Sequence, residues 1–198
     1  MQGLYRRFRY GKPIVVVSGL PRSGTSMAMK MLEAGGLRVV TDGLRTADED
    51  NPRGYFEDER VKDLYREGDK AWVRESRGKA IKVISFLLKS LPAENNYKVL
   101  FMHRDLREIV ASQNKMLVRR GEKNETPDER AVELLEEQVR DARFFLRRPQ
   151  FEVLELNYAE MCRSARPQAL RMAAFLGDGL DVEKMVGVVD AQLYRNRS

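Results

Sequence analysis

Gly19-Leu20-Pro21-Arg22-Ser23-Gly24-Thr25-Ser26 follows the apolar run Ile14-Val15-Val16-Val17 near the start of the chain. The apolar segment 27–32 behind this loop predicts a helix. In a strand–loop–helix unit, the backbone N–H groups of the loop and the positive end of the helix dipole together bind oxyanions. The spacing is that of a P-loop, but Thr25 stands where a nucleoside triphosphatase carries lysine. The loop therefore predicts an anion site that is not built for the γ-phosphate of ATP.

The composition of the chain limits its class and its partners. With 198 residues, we expect a single domain over 1–198 with a sizeable core. The net charge of +6 favours an anionic partner, whether a nucleotide, a nucleic acid or an acidic surface. The single cysteine, Cys162, cannot form an internal disulfide and indicates a reducing compartment. No run approaches the roughly 20 apolar residues of a membrane span, and the apolar run at 14–17 enters the glycine loop directly, unlike a signal peptide. We therefore expect a cytoplasmic protein.

Apolar patterning predicts that strands alternate with helices along the chain. The predicted strands cover 14–17, 37–41, 80–84, 97–103 and 151–156, and the predicted helices cover 27–33, 105–117, 127–147 and 167–176. Asp105 is predicted to cap one helix, and Thr126 is predicted to cap the next in a capping box with Pro127 at the first helical position. Such alternation implies an α/β fold with three α/β/α layers. Its central parallel sheet has a P-loop-like nucleotide-binding topology, with ligands at the carboxyl ends of the strands.

A second group of candidate residues lies at the end of the predicted strand 97–103. Arg104 follows this strand, and Ser112 lies two turns into the helix behind it. An arginine after a strand and a serine in a helix are unremarkable when taken alone. Their position relative to the glycine loop gives them meaning.

The chain resembles the sulfotransferase superfamily, whose members use 3′-phosphoadenosine 5′-phosphosulfate (PAPS). The resemblance rests on the Pro-Arg-Ser-Gly-Thr-Ser loop after the first strand, followed much later by Arg104 and Ser112. Two further stretches agree with the family pattern: Lys82-Val83-Ile84-Ser85-Phe86-Leu87-Leu88-Lys89-Ser90-Leu91-Pro92, and Leu156-Asn157-Tyr158-Ala159-Glu160-Met161 with Phe175-Leu176-Gly177 after it. The similarity spans about residues 12–177. Each motif is weak alone, and their order and spacing make them specific.

The resemblance implies roles for individual residues. The 5′-phosphosulfate would be bound by the loop residues Arg22, Ser23, Gly24, Thr25 and Ser26, and the 3′-phosphate by Arg104 and Ser112. Arg22 would also act in catalysis, because it and the loop N–H groups would stabilise the charge that develops on the bridging and leaving-phosphate oxygens. Lys82 would assist the leaving group, and Tyr158 would lie near the adenine. Arg195 matches the late basic residues that family members use at the 3′-phosphate, although a solvated terminus explains it equally simply. No metal is implied, because a transferred sulfuryl group carries less charge than a γ-phosphoryl group.

The general base is where the chain departs from the family pattern. Cytosolic members carry a catalytic histidine at the position of Ile84, whereas some glycan- and tyrosine-sulfating members use a glutamate after the second strand. Asp42, Asp48 and Glu57 are the candidates in that region. Glu57 is preferred because the aromatic pair Tyr55-Phe56 can desolvate it and raise its pKa toward neutrality, although an exposed loop carboxylate fits the same position. His103 is predicted to lie too far from the transferred group to act as the base.

Three functions therefore follow from the sequence. The first is a sulfotransferase that moves a sulfuryl group from PAPS to an acceptor hydroxyl or amine by in-line displacement, leaving 3′,5′-ADP. The acceptor could be a glycan, a lipid, a peptide or a small metabolite, and the oligomeric state is left open. The alternatives are a small-molecule kinase that uses ATP and a non-catalytic basic module that binds anions. Nucleic acid is not expected, because arginines and glutamates alternate along the helices in the manner of a solvated surface.

Overall fold

A parallel β-sheet forms the centre of the computed structural model, which describes residues 2–44, 56–177 and 179–190. Its strands are β1 (Ile14–Gly19), β2 (Ala80–Lys82), β3 (Tyr97–His103) and β4 (Phe151–Asn157), in the order β2-β1-β3-β4. In the register of the sheet, Gly19 lies beside Met102, and Met102 lies beside Leu156. The segments that follow β1, β3 and β4 therefore leave the sheet at one edge, and this edge carries the predicted site residues.

Helices connect the strands and cover both faces of the sheet. They are α1 (Gln2–Tyr10), α2 (Thr25–Ala34), α3 (Glu59–Lys62), α4 (Ala71–Glu75), α5 (Leu106–Arg119), α6 (Asp128–Phe145), α7 (Tyr158–Arg163), α8 (Ala165–Leu176) and α9 (Val182–Gly187). Two short 3₁₀ segments, Asp63–Tyr65 and Ser85–Ser90, complete the described elements.

Alternate residues of β1 enter two separate cores, because successive side chains of a strand point to opposite faces. Val15 and Val17 pack with α2, α7, α8 and α9 on one face. Ile14 and Val16 pack with the carboxyl-terminal half of α6 and the segment Ser85–Ser90 on the other face. A third, smaller apolar cluster joins α5 to α6. The predicted three-layer α/β fold with a parallel sheet is confirmed.

Two local predictions are wrong. Residues 37–41 form only a single bridge, Val39 to Ala80, because β2 is three residues long and the chain then turns away toward Glu57. The Thr126 cap is absent: α6 begins at Asp128, and Pro127 stands outside the helix with ψ 143° and no capping side chain. The Asp105 cap is confirmed, since its Oδ1 accepts the N–H groups of Arg107 at 2.9 Å and Glu108 at 3.1 Å.

Candidate active site

The glycine loop between β1 and α2 is tightly packed at both of its glycines. Gly19 has φ 149°, and a Cβ there would lie 2.5 Å from Ser23 Oγ. Gly24, which precedes the first turn of α2, has φ 99°, and a Cβ there would lie 2.3 Å from Tyr158 Cδ2. Only glycine fits either position without a shift of its neighbours. The loop therefore holds its shape through contacts with the ends of β3 and β4.

Ser23 supplies a polar group that the surrounding protein leaves unsatisfied. Its side chain is fully buried, and its Oγ has no hydrogen-bond partner among the described residues. Buried hydroxyl groups are normally paired, so an orphaned one requires an explanation. It lies in a loop beside the amino-terminal end of α2, whose first N–H groups lack partners within the helix. The N–H groups at the start of α2 are therefore the donors that this loop offers an anion, while the Ser23 hydroxyl, which is not exposed, stays inside the protein.

Arg22 links the loop to α5. Its φ is 71°, in the left-handed region that non-glycine residues rarely adopt. Its Nε donates to Ser112 Oγ at 3.1 Å, and its carbonyl oxygen accepts from Arg104 Nη1 at 3.1 Å. The structure thus brings together three residues that the sequence assigned to two separate motifs.

Arg104 is buried between a carboxylate and an aromatic ring. Its Nε lies 2.8 Å from Glu108 Oε2, and the two side chains are 8% and 3% exposed. Its guanidinium lies over the Tyr158 ring at 4.7 Å from the centroid. Burial raises the pKa of the Tyr158 hydroxyl well above its usual range and keeps this group neutral. Glu108 therefore balances the charge of Arg104 inside the protein.

Sequence reasoning missed Glu108. The signal that could have found it is its position, since it follows Arg104 by four residues and directly precedes the buried residues Ile109 and Val110. Most glutamates in a helix face solvent, and only the contact with Arg104 distinguishes this one.

A second buried ion pair joins two of the predicted catalytic residues. Lys82 Nζ lies 3.0 Å from Glu57 Oε1, with the side chains 7% and 22% exposed. The backbone positions Glu57, because its carbonyl oxygen accepts from Asp42 N–H and from Thr41 Oγ1, each at 3.1 Å. The sequence places these residues 25 positions apart, so their contact is a product of the fold.

The remaining candidate residues either contact other parts of the protein or lie outside the described part of the chain. The Asp42 carboxylate accepts the backbone N–H groups of Leu44 at 2.9 Å and Glu59 at 2.7 Å, so it fixes the local chain. Asp48, the neighbour Tyr55 and the basic residue Arg195 lie outside the described residues, and their roles stay predictions. His103 lies at the end of β3 with its Nε2 3.2 Å from Glu155 Oε2.

The described part of the chain offers neither a metal site nor a membrane-spanning helix. Residues 2–44, 56–177 and 179–190 contain no group of three or more histidine, cysteine or acidic side chains placed to hold a metal ion. Within the same ranges, every helix is too short or too polar to cross a membrane.

Comparison with known proteins identifies the fold. No family model matches the sequence, and no curated protein matches it either. Among solved structures, the chain is similar to a sulfotransferase domain from the curacin biosynthetic pathway. The two share 13% sequence identity with a TM-score of 0.53, over 90% of this chain and 78% of that domain. The chain therefore shares the fold of this sulfotransferase domain.

Proposed function

We propose that this protein is a sulfotransferase that moves a sulfuryl group from PAPS to an acceptor hydroxyl or amine by in-line displacement. The observation that carries the proposal is the direct linkage of the glycine loop to α5. Arg22 reaches Ser112 with its side chain and receives Arg104 at its carbonyl oxygen. Two groups of anion-binding residues are thus fixed relative to each other before any ligand binds, which suits a ligand with charges at two places.

The residues at this edge fit such a donor. The loop residues 22–26, at the amino-terminal end of α2, suit the 5′ end, and Arg104 and Ser112 suit the 3′-phosphate. Tyr158 offers a ring beside both, and Arg195 is proposed as a further contact of the 3′-phosphate. PAPS, when bound, supplies the activated sulfuryl group and is left as 3′,5′-ADP. The single cysteine, Cys162, is buried, and we propose the cytoplasm as the compartment.

The ion pair of Glu57 and Lys82 supplies the acid–base chemistry. The Glu57 carboxylate lies 3.0 Å from the Lys82 ammonium group, so the proposed base is paired with a cation and is not desolvated by apolar neighbours alone, as the sequence suggested. Glu57 would take the proton from the acceptor hydroxyl or amine at Oε1 or Oε2. General base catalysis of this kind contributes roughly 10²–10⁴ in rate. Lys82 would then place its positive charge beside the oxygens on which negative charge develops.

A thermal-shift comparison of nucleotides tests this function. The ligands are 3′,5′-ADP, ADP and Mg-ATP, each added to the whole chain over the same concentration range. A ligand at about 100 times its Kd stabilises the folded state by roughly 2.7 kcal/mol. For a domain of this size, that corresponds to a rise in Tm of about 5–11 °C. We expect this rise with 3′,5′-ADP at concentrations where ADP and Mg-ATP give little.

Two variants assign the effect to Arg104. Arg104→Ala should abolish the preference for 3′,5′-ADP over ADP, because the preference measures recognition of the 3′-phosphate. Arg107→Ala is the matched control, since this arginine is exposed in the first turn of α5, three residues after Arg104, and should leave the preference unchanged. Equal stabilisation by ADP or Mg-ATP would contradict the proposal and favour the kinase. No stabilisation by any of the three nucleotides would favour a module that binds other anions.

A further inference from the structure

A cavity of about 460 Å³ lies beside the candidate site, on the α6 side of the sheet. It is bounded by the carboxyl end of β3, by α5 and by the second half of α6. Small-molecule sites typically measure about 300–1,000 Å³, so the volume suits a ligand of modest size. Leu20 of the glycine loop and Arg104, which we assign to the 3′-phosphate, also lie in its lining, so the cavity adjoins the proposed nucleotide site.

The floor of the cavity is apolar. Leu106, Ile109 and Val139 line it, and all three belong to the cluster that joins α5 to α6. Tyr158, by contrast, packs in the core around α2 on the other face of the sheet. The floor therefore lies apart from the ring that we assign to the adenine.

The wall of the cavity is strongly basic. Arg140, Arg143 and Arg147, which we call the arginine row, all line the cavity and follow one another at helical spacing. Phe144, 74% exposed, stands among them and extends the apolar surface to the rim. Glu136 is the acidic residue in this lining.

The charge of the arginine row is only partly balanced. Arg143 forms a bidentate pair with Glu155, at 2.8 Å and 3.1 Å. Arg140 and Arg147 form no side-chain hydrogen bond or ion pair with any residue in 2–44, 56–177 or 179–190. His103 also lines the cavity, and burial lowers its pKa, so this ring is neutral near pH 7. An anion placed here would meet uncompensated positive charge from two guanidinium groups.

We propose that this cavity is a second binding site, adjoining the nucleotide site at Arg104, for a small organic anion. The apolar body of the ligand packs on the floor of Leu106, Ile109 and Val139. Its sulfonate, sulfate or carboxylate group contacts the arginine row. Guanidinium groups bind such oxyanions through paired N–H donors, which inorganic anions also use, so the apolar body supplies the selectivity.

Isothermal titration calorimetry with naphthalene-2-sulfonate tests the proposal on the whole chain. The probe carries one oxyanion and one apolar ring system, and naphthalene-2-sulfonamide is its neutral analogue. We expect the sulfonamide to bind at least about tenfold more weakly, since a tenfold change corresponds to about 1.4 kcal/mol and a charged hydrogen bond contributes about that much or more.

Variants locate the probe. Arg140→Gln with Arg147→Gln should weaken binding of the sulfonate at least about tenfold. Arg130→Gln with Arg166→Gln is the matched control, because both arginines are exposed, lie outside the cavity and lower the net charge equally. The control should change the affinity less than about twofold, since charges beyond a Debye length are screened. Each variant changes only exposed side chains, and its Tm shows whether it folds.

Three results would overturn the second site. The first is absence of sulfonate binding up to millimolar concentration, and the second is an equal loss in the control variant. The third is displacement of the probe by 3′,5′-ADP, which would make the cavity part of the nucleotide site. Failure of the proposed sulfotransferase is seen separately in the nucleotide thermal shifts, which do not involve the probe.

Discussion

Single variants of the buried pair of Arg104 and Glu108 should lower the stability of the protein, whereas the double variant should recover part of that loss. Glu108→Gln removes the negative charge while keeping an acceptor near Arg104 Nε, and Arg104→Met removes the positive charge that lies 2.8 Å from the Glu108 carboxylate, whose side chain is 3% exposed. Removing one partner of a buried pair typically costs about 3–5 kcal/mol, because the other charge stays in a poorly solvated place. Replacing both partners together is often neutral.

The contacts around the pair set the expected size of each effect. We expect a loss of about 3 kcal/mol for Glu108→Gln, at the lower end of the range because one hydrogen bond survives. Arg104→Met should lose about 4 kcal/mol or more, since it also removes the bond to the Arg22 carbonyl oxygen and the contact with the Tyr158 ring. In a domain of this size, 3 kcal/mol lowers Tm by about 6–12 °C.

Calorimetry or circular dichroism on the two single variants and the double variant provides the assay. The double variant should have a higher Tm than Arg104→Met alone, because it no longer buries the Glu108 carboxylate without the guanidinium of Arg104. Glu133→Gln is the control: its pair with Arg130 is a helical ion pair with side chains 61% and 54% exposed, and its loss should cost at most about 1 kcal/mol. Additive losses in the double variant, or single losses as small as the control, would refute the buried coupling.

Three further predictions follow from other parts of the structure. Gly24→Ala forces a left-handed alanine, which costs about 1–2 kcal/mol, and places its Cβ 2.3 Å from Tyr158. Gly36→Ala is the control, because Gly36 has φ 96° with open space around it and shares only the backbone cost. Urea unfolding should show a larger loss of stability for Gly24→Ala, and equal losses would exclude the clash. Glu57→Gln should lower the rate of sulfuryl transfer roughly 10²-fold or more, while the thermal shift with 3′,5′-ADP stays the same. Unchanged turnover would instead assign the general base to Asp42 or Asp48. Burial lowers the pKa of His103 in the folded protein below the ordinary histidine pKa of about 6.5, which the unfolded chain keeps. The unfolded chain therefore binds the proton more readily, and stability is lost as the pH falls. The decrease in Tm between about pH 7.5 and pH 5.5 should be smaller in His103→Gln than in the unchanged protein, and an equal decrease would contradict this.

Elements with a strong local signal were predictable from the sequence. The bounds of β3 match the prediction, because a fully buried strand reads as a continuous apolar run. The end of α8 also matches, since Gly177 follows it at φ 108°. The segment 37–41 has an equally good strand pattern, but a strand needs a partner, and β2 offers only Ala80 to Val39. The apolar pattern of a sequence predicts which residues are buried, whereas strand pairing also depends on the length of the neighbouring strand.

The candidate site divides along the same line. The glycine loop was predictable from its place between a strand and a helix, and Arg104 and Ser112 from the resemblance to the sulfotransferase superfamily, although their binding roles stay predictions. The ion pair of Lys82 with Glu57 and the role of Glu108 were not, since charged residues on helices and loops usually face solvent. Their burial depends on how separate elements pack. The cavity beside α6 was not predictable for the same reason, although the spacing of its arginines is visible in the sequence.

The presence of an arginine at position 22 of the loop also has a structural explanation. Arg22 in the left-handed region costs about 1–2 kcal/mol, and the hydrogen bond from the Arg104 guanidinium to its carbonyl oxygen contributes about 1.5–3 kcal/mol, which is enough to hold it. The planar guanidinium of Arg22 donates from Nε to Ser112 and carries two further nitrogen donors, which a lysine ammonium cannot arrange in one plane. The residues assigned to the 3′-phosphate thus also maintain the loop assigned to the 5′ end. Removal of Arg104 should therefore weaken binding of ADP as well as 3′,5′-ADP, and the ratio of the two affinities, rather than either one, measures recognition of the 3′-phosphate.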